Sequence, residues 1–189
     1  MATIKVNKEK ALKAGVGQYI TTSGWYKGIL TKALLKKRES GVHFFEFSFE
    51  SEDGLKSDYI TLNLTNKDGS ENFESNIFHS LIATLGLEEV PVIKAKNKND
   101  FDSMPALCNK SVGVGLQKEE YSNADGETKY KFKALHFCDS TTNKTFSETE
   151  QLKEAKFWGR EIKDKVLEAK SEKKPEKDSS SNDDEDLPF

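Results

Sequence analysis

His43-Phe44-Phe45-Glu46-Phe47-Ser48-Phe49-Glu50 is the stretch on which the reading of this chain turns. His43, Phe45, Phe47 and Phe49 share one parity, and Phe44, Glu46, Ser48 and Glu50 share the other. Successive side chains of an extended strand point to opposite faces, so this alternation describes a half-buried strand with a phenylalanine ladder turned to a core. Glu39-Ser40-Gly41 before it and Glu52-Asp53-Gly54 after it are short polar connections carrying the glycine that tight hairpins favour. Together they predict a three-stranded meander from Gly24 to Thr65. In its third strand Ile60, Leu62 and Leu64 take the core side, which leaves Tyr59, like Phe44, on the outside.

Beyond the polar turn Asn66-Lys67-Asp68-Gly69-Ser70, the residues Phe73, Ile77, Phe78, Leu81, Ile82 and Leu85 recur at helical spacing, and Gly86 supplies a stop. Residues 87–110 read as loop, with Lys94, Lys96 and Lys98 and a short apolar segment from Met104 to Leu107. Two further strands follow, Ser111–Tyr121 and Lys129–Asp139, turned by Asn123-Ala124-Asp125-Gly126. Val112, Val114 and Leu116 share one side of the first; Tyr130, Phe132 and Ala134 share one side of the second. Gly113 and Gly115 sit inside this alternation, where small residues mark a bulge or a close backbone approach.

Three strands, a helix and a closing hairpin form an element order that resembles the OB fold from Gly17 to Asp139. The expected architecture is mainly β: a five-stranded OB-fold barrel with a helix between strands 3 and 4, occupying residues 1–145. Leu152, Ala155, Trp158, Ile162 and Val166 form one stripe and predict a C-terminal amphipathic helix over 146–170. That stripe must bury itself either on its own barrel or in a homodimer. Residues 171–189 are Lys, Glu, Asp, Ser and Asn with almost nothing apolar before Leu187, a composition that predicts a disordered tail.

No apolar run approaches the roughly 18 residues needed to cross a bilayer, so no membrane partner and a cytoplasmic location are expected, in a host cell if the chain is phage-encoded. Cys108 and Cys138 lack metal-ligand spacing. His43, His79 and His136 are scattered, and neither a GxSxG nor a GxxxxGK[ST] motif occurs. No catalytic residue, metal or cofactor is expected. Residues 1–144 carry 20 Lys/Arg against 19 Asp/Glu, whereas residues 145–189 carry 9 against 13. A near-neutral body argues against strong duplex binding yet permits a local basic groove.

Holding a single nucleic-acid strand requires cations along the phosphate path and exposed rings on which bases stack, at about 1–3 kcal/mol per base. Lys129, Lys131 and Lys133 share one strand face that runs on to Phe137, and Lys32, Lys36, Lys37 and Arg38 end the first strand. Trp25, Tyr26, Phe44 and Tyr59 are the candidate stacking rings, with Trp25 and Tyr26 placing one ring on each face. These residues point to sequence-nonspecific binding of single-stranded DNA.

The chain ends Asp183-Asp184-Glu185-Asp186-Leu187-Pro188-Phe189. Four acids followed by an aliphatic residue, proline and a terminal phenylalanine closely resemble the C-terminal tip of bacterial and bacteriophage single-stranded DNA-binding proteins. Leu187 stands where that family often has isoleucine. The resemblance implies a protector of single-stranded DNA in replication, recombination and repair that recruits a nuclease, helicase, primase or recombinase through the tip. It also implies that Phe189 enters an apolar pocket while its carboxylate meets a cation and the four acids meet a basic rim. The alternative is an adaptor or decoy that docks a host repair enzyme through the tip and binds no DNA.

Overall fold

The computed structural model describes residues 18–97 and 100–167. Its long strands are β1 (Gly24–Lys37), β2 (His43–Ser51), β3 (Lys56–Asn63), β5 (Ser111–Ser122) and β6 (Thr128–Cys138), with two-residue strands β4 (Asp102–Ser103) and β7 (Lys165–Val166). Helices are α1 (Phe73–Thr84) and α2 (Phe146–Glu150). Among the described residues all seven strands belong to one sheet, whose main path runs β3-β2-β1-β5-β6; β4 adds to β1, and β7 adds in parallel to β5. The sheet curls until its edge strands β3 and β6 approach each other without a ladder between them, leaving an open half-barrel where a closed five-stranded one was expected.

The meander and hairpin lie where the alternation placed them. Phe45, Phe47 and Phe49 are buried beside Ile60, Leu62, Val112, Val114, Leu116, Phe132 and Ala134. Phe45 stacks on Phe47, and Phe78 of α1 meets Phe45 from below at 4.9 Å between ring centres. Asn72 caps α1 by accepting the Glu74 N–H, and Gly86 takes a φ of 65° just beyond its end. The segment read as loop contributes to the core as well: Met104 and Leu107 are buried around a 3-10 turn at Pro105–Leu107.

Three bulges set which residues face outward. Thr31 is an extra residue in β1, so the core side passes from Leu30 to Ala33. Leu135 is an extra residue in β6, because Gly115 pairs with His136 and Leu116 with Ala134. The core side of β6 therefore jumps from Ala134 to Phe137, which is fully buried and packs on Phe47. This corrects the expected outward Phe137: the lysine row does not continue past the bulge, since one inserted residue exchanges the faces. The third bulge, at Asp58 and Tyr59 in β3, belongs to the candidate site.

The expected C-terminal helix is replaced by a strap. Among the described residues of this segment only Phe146–Glu150 is helical; residues 151–164 cross the outside of the sheet without helix, and β7 follows. Glu148 causes the stop. It completes a capping box with Thr145, then accepts the N–H of Lys156 at 2.6 Å and of Phe157 at 3.1 Å, turning the chain back on itself. Leu152 at φ 52° and Gly159 at φ 89° lie outside helical geometry. Two members of the predicted stripe still reach the sheet: Trp158 lies on Gly113 and Ile162 on Gly115, where a Cβ would stand 2.8 Å from Trp158 and 3.0 Å from Ile162. Both glycines mark close approach. Leu152 and Val166 are exposed.

Candidate nucleic-acid interface

The outer face of β1, β2 and β3 gathers five of the expected residues. Register places Lys36 opposite Phe44 and Lys32 opposite Ser48, and Tyr59, in the bulge of β3, lies on the same side. Tyr59 is 73% exposed and has a φ of 59°. A non-glycine residue in left-handed conformation costs about 1–2 kcal/mol, and such strain concentrates at functional positions. Its ring contributes nothing to the core that would repay this cost.

Each ring on this face lies under a cation. Lys32 Nζ stands 5.9 Å from the Tyr59 ring centre, the Arg38 guanidinium 4.9 Å from Phe44, and Lys36 Nζ 4.0 Å from Phe101. An exposed cation–π contact stabilises by about 0.5–1 kcal/mol, less than the ~1–3 kcal/mol of a stacked base. The Lys32 and Arg38 contacts are thus weak enough for a stacking guest to displace, whereas Lys36, 12% exposed and held by Glu46, is fixed.

The two basic clusters of the sequence meet across the open seam. Arg38, Lys131 and Lys133 line one polar recess of about 190 Å3 between β3 and β6, together with Asn63, Glu74 and Glu119. The lysines are not unopposed. Glu46 holds Lys36 at 2.7 Å and Lys32 at 4.0 Å, Glu74 holds Lys133 at 2.6 Å, and Glu119 lies 3.4 Å from Lys131 and 3.8 Å from Lys165. Glu46 and Glu119 are buried, so the face carries internal anions that offset part of its positive charge.

The remaining expected residues fall elsewhere. Trp25 is enclosed under the strap: it packs on Trp158 and His136, and its indole N–H donates to the Arg160 carbonyl at 3.0 Å. Tyr26 turns inward against the core, with its hydroxyl on the Thr22 carbonyl. One ring on each face was correct, but neither is free to stack. Lys37 is exposed on the side of β1 opposite Lys36, and Lys129 pairs with Glu127 near the hairpin end. The tip residues 183–189 lie outside the described residues.

Rings unanticipated from the sequence also line the surface. Phe101, 51% exposed, lies in the segment read as loop, and Tyr130, 46% exposed, shares its strand parity with buried Phe132. An aromatic within the lysine-rich 94–102 segment was the available signal for Phe101. Nothing in the alternation separated Tyr130 from Phe132, because their difference is the end of the sheet's cover.

Around the strap, burial pushes the His136 imidazole pKa down, assisted by Arg160. Burial likewise raises the Cys138 thiol to about 12. Burial alone would raise the Glu148 carboxyl, but the N–H groups of Thr145, Lys156 and Phe157 outweigh it and hold the pKa below the ordinary glutamate value. Among the described residues, no three His, Cys, Asp or Glu side chains gather as a metal-ligand set, and no helix is long and apolar enough to cross a membrane. The chain matches no protein-family model and no curated protein.

Proposed function

We propose that the half-barrel is an OB-type domain that binds single-stranded DNA without sequence preference over the outer face of β1–β3 and across the seam to β6. The observation that carries this reading is Tyr59, a strained and exposed ring beneath Lys32, with Phe44 beneath Arg38 further along the same face. Stacked rings with mobile cations suit any base, because every base has a π-face and every nucleotide a phosphate. The element order of an OB barrel supports the same assignment, with β3 and β6 as the strands that such a barrel would close. In this reading the chain protects single strands in replication, recombination and repair, in the manner of bacteriophage single-stranded DNA-binding proteins. Its tip, Asp183 to Phe189, recruits a nuclease, helicase, primase or recombinase.

The adaptor reading has one observation in its favour: Glu46, Glu74 and Glu119 already pair with four of the lysines on the proposed path and offset most of their charge. Charge reversal separates the two readings. The double variant Lys32→Glu, Arg38→Glu should lose at least tenfold in affinity for a fluorescent oligo-dT at low salt, whereas deletion of Phe189 should spare DNA and abolish enzyme docking. An adaptor would bind the oligonucleotide in neither form.

A further inference from the structure

We propose that the seam between β3 and β6 is a nucleobase slot, walled by the rings of Tyr59 and Tyr130, so that the strand dips into the sheet's opening as it crosses the outer face. This inference rests on the single-strand reading above. A cavity of about 310 Å3 opens along the seam, lined by Tyr19, Lys56, Asp58, Tyr59, Tyr130 and Lys131. It shares Lys131 and Phe132 with the polar recess beside Asn63 and Arg38, and the two form one trench along the seam.

The trench exists because the sheet stays open. β3 and β6 approach without pairing, and the bulge at Asp58 and Tyr59 turns the Tyr59 ring out at its mouth. Three tyrosines, Tyr19, Tyr59 and Tyr130, each stand at least 46% exposed around a space at the small end of ligand pockets, roughly 300 Å3 and upward. That volume admits a planar heterocycle and excludes a duplex. Tyr130 meets Phe132 edge-on at 5.8 Å between ring centres yet keeps nearly half its surface exposed; rings lining a cavity offer π-faces to a flat guest.

The charge pattern fits a nucleotide better than a neutral aromatic. Lys56 and Lys131 lie on opposite walls, each more than half exposed, and their carboxylate partners are loose: Glu50 at 3.5 Å and Glu119 at 3.4 Å. Both can turn to phosphates flanking an inserted base. Asp58 is the opposing charge in the lining. Lys32 stands 5.9 Å from the Tyr59 ring centre and is held only loosely by Glu46 at 4.0 Å, so a base can displace it; Lys118, 5.0 Å from the Tyr130 ring centre, stays anchored to Glu120 at 2.7 Å.

The test is photo-crosslinking of the full chain to oligo-dT bearing one 5-iododeoxyuridine, with crosslinked residues identified by mass spectrometry, alongside affinities of Tyr130→Leu and Tyr130→Phe. The slot requires crosslinks at Tyr59 and Tyr130, a loss of at least fivefold for Tyr130→Leu, and near-wild-type affinity for Tyr130→Phe, which keeps the ring. Tight oligo-dT binding with crosslinks only at Phe44 or Phe101, and no loss for Tyr130→Leu, would overturn the slot while leaving the single-strand reading intact. Absence of oligonucleotide binding by the wild type would overturn both.

Discussion

Replacing Tyr59 with glycine separates a strained functional ring from a structural one. The backbone at φ 59° is left-handed, and releasing a tyrosine from it recovers about 1–2 kcal/mol. Glycine returns part of this through its freer unfolded state, about 0.5–1 kcal/mol. The ring is 73% exposed, so its loss removes little burial beyond the Lys32 contact at 5.9 Å, worth about 0.5–1 kcal/mol. These magnitudes leave Tyr59→Gly within about 1 kcal/mol of the wild type. Tyr59→Ala keeps the strain while losing the ring, and should fall about 1 kcal/mol below the glycine variant. Both variants should lose about 1–3 kcal/mol of affinity for single-stranded DNA, roughly 5- to 150-fold. Denaturant unfolding and fluorescence anisotropy with labelled oligo-dT measure the two quantities. A loss of more than 2 kcal/mol of stability in Tyr59→Gly with DNA affinity unchanged would refute the reasoning, because the ring would then be a packing element.

Other perturbations test the strap and the core. Gly113→Ala forces a Cβ against Cys138 and within 2.8 Å of Trp158, and should cost about 1–3 kcal/mol while opening residues 151–164 to limited proteolysis. Glu148 has a depressed folded pKa, so its stabilisation is present above the ordinary glutamate range and is lost as pH falls through the folded value; tryptophan emission from Trp25 and Trp158 should report release of the strap in acid. Glu148→Gln should lower stability by about 1–2 kcal/mol near pH 7, with the difference from wild type shrinking in acid. Phe137→Ala should destabilise by about 3–5 kcal/mol with no specific effect on DNA affinity below the unfolding transition, as expected of a core ring.

Period-two patterning was readable wherever one face of a strand is buried and the other is wet. Phe45, Phe47 and Phe49, with Ile60 and Leu62, are core residues, and Phe44 and Tyr59 point outward as their parity required. What the pattern does not contain is the inserted residue. Leu135 shifts the faces of β6 and buries Phe137, yet no glycine or proline marks the bulge. The C-terminal stripe misled for a different reason. Helical spacing from Leu152 to Val166 was real, but the carboxylate of Glu148 captures the N–H groups of Lys156 and Phe157, and tertiary contacts with Gly113 and Gly115 favour an extended run. Trp25 was lost as a stacking ring through the same event, since its cover comes from residues 135 positions later. The pairing of basic clusters across the seam was legible only as two separate lysine runs; the curl of the sheet brings them together.

The most direct measurement is a titration of oligo-dT, about 35 nucleotides long, and of the matching duplex with the full chain across a salt series. Single-strand preference is expected, with affinity falling as salt rises at a slope near −0.7 per neutralised phosphate, or about −3 if Lys32, Arg38, Lys131 and Lys133 each engage one. Trp25 emission should barely respond, because that ring lies beneath the strap. Equal affinity for duplex, or no binding to either form at low salt, would contradict the assignment of the outer face as a single-strand interface.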